Sequence, residues 1–361
     1  MQVAEFDYQL PSELIAQRPL AERDASRLMV LDRKAETIED RAFRELPQIL
    51  KPGDLLVFNN TRVFRARLLG RRRGTKAQRI GKNNPAVRQY LSAEIELLLT
   101  RQESDETWQA LVRPGRKVRT GEILEFGDGQ LEAEVLGRGE YGLRRVRLRA
   151  ATGSVEDAID RWGHVPLPPY IHRLDDAADR ETYQTVYAKV RGAVAAPTAG
   201  FHFTDRVLDA LRSRGVDTCE ITLHVGLGTF QPVRTERVEE HKMEPERFEI
   251  SEQAATTLNR ALDEGRRIIP VGTTSVRTLE HAAREHGGTM VAGRGETNLF
   301  VFPGFKFLVT RGLVTNFHLP QSTLLMLVSA FADRQFILRA YEHAAAARYR
   351  FYSYGDCMLI V

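Results

Sequence analysis

The sequence predicts an α/β protein whose main domain is formed by discontinuous segments, with a small antiparallel β-barrel inserted into it. Three observations carry this. Between residue 91 and about 150, apolar residues come in short runs separated by turn residues, the pattern of a small barrel or sandwich. After about Thr152 helices alternate with strands. The apolar run 55–58 lies ahead of both and reads as a strand of the later sheet, which makes the barrel an insertion. The domains expected are therefore 1–62 with 151–361, and 63–150.

In the insertion the runs are 94–99, 108–112, 123–126, 131–136 and 141–148, divided by Pro114-Gly115, Gly127-Asp128-Gly129 and 137–139. In the main domain Thr204 caps a helix with Val207, Leu208 and Leu211 on its apolar face, and Gly215 ends it before a strand over 218–225. Ser251 opens the next helix, with Ala254, Ala255, Leu258, Ala261 and Leu262 at helical spacing and Gly265 as its stop. A strand over 268–271 follows, then a helix over 275–286, a strand over 299–302, helices over 323–332 and 337–348, and a last strand over 358–361. No apolar stretch approaches the ~18 residues that span a bilayer, and the N-terminus lacks the basic-then-apolar run of a signal peptide. Cys219 and Cys357 belong to no ligand pattern, so neither a zinc ribbon nor a disulfide framework is expected, and a reducing cytoplasm is.

Charge placement is the first functional clue. The 361-residue chain carries a formal net charge of only +4. Yet between residues 55 and 93 there are ten Lys and Arg and no acid, so the remainder is net acidic. Such a block repels itself and lowers its energy beside a polyanion such as nucleic acid, or it is a solvated basic loop. A basic, mobile loop is expected over 71–92.

Four loops are richer in His, Thr, Asn and Gly than packing requires: 195–203, 222–230, 271–277 and 315–320. Three lie where a strand ends or a helix begins, where ligands of α/β sheets gather. His224 shares a strand face with Thr222 and reads as a cleft-facing group or a core histidine; His202 stands at a helix start. Gly272-Thr273-Thr274-Ser275 suits a backbone anion or ribose site and equally an ordinary helix cap. The P-loop, nucleophile-elbow, zincin and complete dinucleotide signatures are all missing. Asp205, Asp356, Glu280 and Glu296 are candidate carboxylate bases that the sequence cannot pair.

Read together, the segments FDYQLPSELIAQRPLAERDASRL from Phe6, GDLLVFNNTRVFRARL from Gly53, HVPLPPYI from His164, ETYQTVYA from Glu181, GAVAAPTAGFHFT from Gly192, TLHVGLGTFQPV from Thr222, VGTTSVRTLE from Val271, TNFHLPQSTLLMLVSAF from Thr315 and YRFYSYGD from Tyr349 resemble the S-adenosylmethionine:tRNA ribosyltransferase-isomerase family of queuosine biosynthesis. The resemblance runs over nearly the whole chain. It implies transfer and isomerisation of the ribosyl moiety of S-adenosylmethionine onto 7-aminomethyl-7-deazaguanine at the tRNA wobble position. The products are epoxyqueuosine-tRNA, adenine and methionine. S-adenosylmethionine is then a co-substrate, no cofactor or metal is expected, and the enzyme is taken as a cytoplasmic monomer without membrane contact. A non-catalytic RNA-binding module and an RNA methyltransferase are the rival readings. Two departures from the family stand out: the basic insertion over 71–92, and Glu244 where a second histidine is usual.

The chemistry calls for a base at C5′ beside the sulfonium, a proton donor for adenine and a dry pocket. His202, His224 and His318 are the expected acid/base groups, and Phe201, Phe203, Phe230 and Phe317 the wall. Thr198, Gly200, Thr273, Thr274, Ser275, Asn316 and Phe317 are expected to bind the nucleoside substrate. Asn59, Asn60, Thr61 and Arg62 are expected to read the extruded base, with Arg65, Arg67, Arg71, Arg23 and Arg27 along the tRNA phosphates.

Overall fold

A computed structural model describes residues 1–73, 94–116, 118–139, 142–226 and 233–361, and the backbone of the short strands Gln78–Arg79 and Arg88–Gln89. Residues alternate inside and out along the insertion: in Glu94–Gln102, Ile95, Leu97 and Leu99 are buried and their neighbours are not. Six strands pair antiparallel in the order Arg67–Arg72, Glu94–Gln102, Thr107–Arg113, Leu143–Ala150, Leu131–Arg138, Ile123–Phe126. The last returns to the first, Leu124 opposite Arg72 and Phe126 opposite Gly70, and this closes a barrel without edges. Gly70 permits the closure, because a Cβ there would lie 2.1 Å from the Glu125 carbonyl oxygen.

The chain divides into two compact units, Met1–Arg62 with Pro168–Val361, and Val63–Leu167. Residues 151–167, grouped by the sequence with the main domain, fall instead with the barrel. The helix Val155–Trp162 buries Ala158 and Ile159 against it, and Gly163 and His164 pair with Leu68 and Arg67. A helix that follows the last strand reads in sequence as the start of an α/β body; its apolar face shows otherwise only once the barrel wall is present.

Most of the basic loop over 71–92 lies outside the described residues, but its first arginines do not. Arg71 pairs with Glu125 at 3.0 Å, Arg72 with Glu122, and Arg73 with Glu125 and Glu132. The carboxylates lie in or beside barrel strands some 50 residues away, so three arginines that look uncompensated in sequence are paired through the fold.

In the larger unit two sheets meet. One orders Leu313–Asn316, Cys357–Ile360, Arg27–Asp32 and Thr37–Ala42; the other orders Ile268–Pro270, Leu55–Asn59, Asp217–Leu223, Glu246–Ile250 and Gly293–Thr297. Parallel bridges Ile268–Thr310 and Val271–Val314 join them. Both faces are covered, which the alternation makes visible. Leu56 and Phe58 pack with Phe203, Val207 and Leu211 on one side, and Leu55 and Val57 with Leu258 and Leu279 on the other. Met29, Leu31, Met358 and Ile360 face a third cluster under the helices Thr323–Ala332 and Arg334–Ala346. Thr204 and Ser251 cap their helices as the sequence predicts, accepting from Val207 and Ala254 N–H.

The strand expected over 299–302 is not there. Gly293–Thr297, an exposed edge with no apolar pattern, pairs with Glu246–Ile250 instead. Leu299, Phe300 and Phe302 are apolar because they pack sideways onto the core. Among the described residues no helix is long and apolar enough to cross a membrane, and no cluster of three metal-ligating side chains occurs.

Candidate active site

Two helix starts and one strand end converge on a cavity of about 220 Å³ in the larger unit. The helix Thr273–Glu285 begins at Gly272, which has φ +89° and a backbone that only glycine adopts comfortably, and no side chain caps its first turn. The Gly272 N–H donates to the Val314 carbonyl at 2.8 Å, which leaves the Thr273 and Thr274 N–H groups without an intrahelical partner where these residues line the cavity. Thr274 Oγ1 is buried with no partner among the described residues, the condition of a group that a ligand completes. The second helix, Thr323–Ala332, starts at the same cavity with Ser322 as its cap, accepting from Leu325 N–H. Thr198, Asn316, Phe317 and His318 supply the remaining wall expected from sequence.

Behind that wall lies a chain of side chains. Asn316 Nδ2 donates to the Tyr352 carbonyl at 2.8 Å, which turns Oδ1 toward His202 Nε2 at 3.3 Å. His202 therefore donates from Nε2 and accepts at Nδ1, where Ser26 Oγ lies 2.7 Å away. His202 is 3% exposed, and burial pushes its pKa down to about 4, so the ring is neutral at neutral pH. His318 contacts Thr315 Oγ1 through Nε2 at 2.9 Å, and burial pushes its pKa down to about 3. Both are buried imidazoles, neutral at neutral pH.

The third histidine stands apart. Val225 lines the cavity, whereas the preceding His224 turns to Thr61 Oγ1 at 2.9 Å and packs its ring over Gly192, where a Cβ would lie 2.6 Å from it. Strand alternation separates the two directions. Gly200 and Ser275 also serve packing: Gly200 makes room for Tyr187, and Ser275 Oγ donates to the Val271 carbonyl at 2.8 Å. Of the aromatics, Phe317 is 1% exposed and packs its ring among Tyr341, Tyr349 and Phe351. Phe203 is core against Phe43 and Phe58, Phe201 lies beside Tyr183 and Tyr354, and Phe230 is outside the described residues.

Several expected tRNA contacts are committed elsewhere. Asn59 is fully buried and zips two strand ends, accepting from Thr61 and Leu223 N–H and donating to the Leu223 carbonyl. Asn60 is held by Glu220 and Thr222, and Thr61 is buried beside His224. Arg65 donates to the Asp160 carbonyl, Arg67 pairs with Glu96 at 2.9 Å, and Arg71 with Glu125. Arg27 lies 3.6 Å from the Tyr349 ring centroid and donates to the Ala347 carbonyl. Arg62 stays exposed. Glu280, a candidate base, is spent on the N–H groups of Leu308, Val309 and Thr310, and Asp356 on those of Arg27 and Arg350.

Ser26 is what sequence reasoning missed. It lies 176 positions from His202, and no local signal links them. The same holds for Glu246 and Arg277, a buried ion pair whose other carboxylate oxygen accepts Gly226 N–H at 2.9 Å.

Residues 3–360 match the family model described as queuosine biosynthesis protein. The chain belongs to that family. The relatives it resembles include the S-adenosylmethionine:tRNA ribosyltransferase-isomerases of Solibacter usitatus, 54% identical over 363 residues, and Symbiobacterium thermophilum, 50% identical over 361, each alignment covering 100% of both chains. A solved structure of this family, S-adenosylmethionine tRNA ribosyltransferase from Thermotoga maritima, is 39% identical, with a TM-score of 0.54 over 99% of this chain and 100% of that one.

Proposed function

We propose that this chain transfers the ribosyl moiety of S-adenosylmethionine to the aminomethyl group of 7-aminomethyl-7-deazaguanine at the tRNA wobble position and isomerises it. Epoxyqueuosine-tRNA, adenine and methionine result. Besides the kinship with S-adenosylmethionine:tRNA ribosyltransferase-isomerases, one observation carries the reading: a single cavity gathers an uncapped helix start, the unpartnered Thr274 hydroxyl and Asn316, which His202 backs from behind. The helix starts suit the carboxylate of the amino-acid moiety, and Thr198, Thr273 and Thr274 suit ribose hydroxyls.

His318 borders the cavity and, being neutral, accepts the C5′ proton that the sulfonium acidifies. Its low basicity means that the sulfonium has to supply the driving force. His202 is a positioning residue: it fixes the Asn316 carboxamide against the cavity from behind. Water exclusion protects the unsaturated sugar that forms when adenine leaves. S-adenosylmethionine is consumed as co-substrate and no further cofactor enters the proposal. We take the working unit as a cytoplasmic monomer. Large apolar side chains that reach the surface among the described residues, such as Leu20, Leu174 and Val291, are scattered singly through the sequence.

The test is a product assay with S-adenosylmethionine and tRNA carrying the modified base. Equal amounts of adenine and methionine, with ribosylated tRNA, are expected. S-adenosylhomocysteine would make the protein a methyltransferase, and binding without products a recognition module.

A further inference from the structure

Several wholly or partly buried arginines of the larger unit pair with carboxylates. Arg277 pairs with Glu246, Arg173 with Asp179 at 2.5 Å and Arg267 with Asp54 at 2.5 Å. Arg23 and Arg350, both partly buried, do not, and they lie together. Arg23 donates only to the carbonyls of Gln184, at 2.6 Å, and Glu181, at 2.8 Å. Arg350 donates to the Arg18 carbonyl, and its Nη1 is buried with no partner among the described residues. Neither forms an ion pair with a carboxylate among those residues; Asp356, the nearest acid to Arg350, faces the backbone N–H groups of Arg27 and Arg350. Burial depresses both guanidinium pKa values and outweighs the opposing pull of Glu181 on Arg23 and of Asp356 on Arg350.

Both arginines line one small cavity of about 80 Å³, with Ser26, His202, Ser353 and Tyr354. The volume suits an oxyanion with a water or two at about 30 Å³ per water, and it is too small for a nucleoside. Ser353 lines this cavity and the larger one, and the His202–Asn316 hydrogen bond runs from one to the other. A partly buried cation with no carboxylate in direct contact gains from a ligand that supplies the charge. Paired guanidinium forks are the natural receptor for an oxyanion.

We propose that Arg23 and Arg350 form an oxyanion subsite, adjacent to the nucleoside cavity, that takes a backbone phosphate of the tRNA next to the modified nucleotide. This rests on the functional reading above. The same chemistry would bind the carboxylate of S-adenosylmethionine. The phosphodiester is preferred because the cavity's other rim is Pro19, Leu20 and Ala21, with Leu20 36% exposed, where a polyanion on the surface has access. The carboxylate already has the helix starts of the larger cavity.

The experiment measures tRNA affinity against salt, and KM for S-adenosylmethionine, for wild type and Arg350→Gln. The expected result is a roughly tenfold weaker tRNA Kd, a log–log salt slope shallower by about 0.7, the single-strand value for one phosphate contact, and KM within twofold of wild type. A tenfold rise in that KM with unchanged tRNA affinity would assign the pocket to the carboxylate and overturn the proposal, as would no change in either. If Arg350→Gln does not fold, Arg350→Lys keeps the charge and loses the fork, and should weaken tRNA binding about threefold with the slope preserved; unchanged tRNA affinity overturns the proposal. Wild-type adenine release separates the two readings: its absence removes the function, whereas a normal wild type with an indifferent variant removes only the subsite.

Discussion

The two cavity-side histidines make stability depend on pH in a direction that the structure fixes. His202 has a pKa of about 4 and His318 of about 3 in the folded protein, against about 6.5 unfolded. As pH falls the unfolded chain takes up their protons first. Their contribution is complete above pH 6.5 and is lost as pH drops toward the folded values. Between pH 7 and 5 each should remove roughly 2 kcal/mol of unfolding free energy, partly offset by Asp356, whose carboxyl is raised by burial and acts in the opposite sense. Denaturant titrations at pH 7, 6 and 5 should show the decline, and His318→Gln should flatten it; equal stability at pH 7 and 5 would mean that the rings are not held neutral by burial. Residue identity was legible here and residue role was less so. His202, His318, Asn316 and Thr274 stand out in the sequence because polar groups near strand ends are rarely filler. Asn59 and Asn60 stand out equally, yet they are spent on strand ends, and only tertiary contacts separate a group waiting for substrate from one already satisfied.

At the level of elements the site depends on how one helix begins. Gly272 has φ +89° and ψ 149°, a region nearly closed to side chains, where strain is of the order of 1–3 kcal/mol. Space is not the obstacle, since a Cβ there would meet Ala199 and Thr274 at 3.7 Å, ordinary contact. Gly272→Ala should therefore lower the melting temperature modestly while rotating the first-turn N–H groups away from the cavity. KM for S-adenosylmethionine should rise at least fivefold, measured beside a melting curve; a destabilised variant with unchanged KM would detach this helix start from substrate binding. The Gly272-Thr273-Thr274-Ser275 run was legible because glycine before hydroxyl residues at a strand end has few uses. The strand Gly293–Thr297 was not, because an exposed edge needs no apolar pattern, while Leu299, Phe300 and Phe302 imitate one.

For the whole molecule, charge distribution sets the remaining expectation. The α/β body with an inserted barrel was legible because the periodicity changes from short alternating runs to helix-and-strand units near residue 150. The fate of the basic block was not, because its counter-charges, Glu122, Glu125 and Glu132, lie across a barrel that sequence spacing does not reveal. Arg71, Arg72 and Arg73 are paired with those carboxylates, and Lys76, Arg79, Lys82 and Arg88 are the other cations of the block to test against tRNA. The closing ladder of the barrel uses residues up to Arg72 and from Glu94 onward, so replacing 74–93 with a short glycine-serine hairpin spares every pair of it. The melting temperature should be unchanged. If those four cations meet phosphates, the log–log salt slope of tRNA binding should become shallower by as much as about 3, at about 0.7 per contact, with adenine release preserved at saturating tRNA. An unaltered slope would show that these cations serve no tRNA contact and leave the recognition of the phosphate backbone to the α/β body.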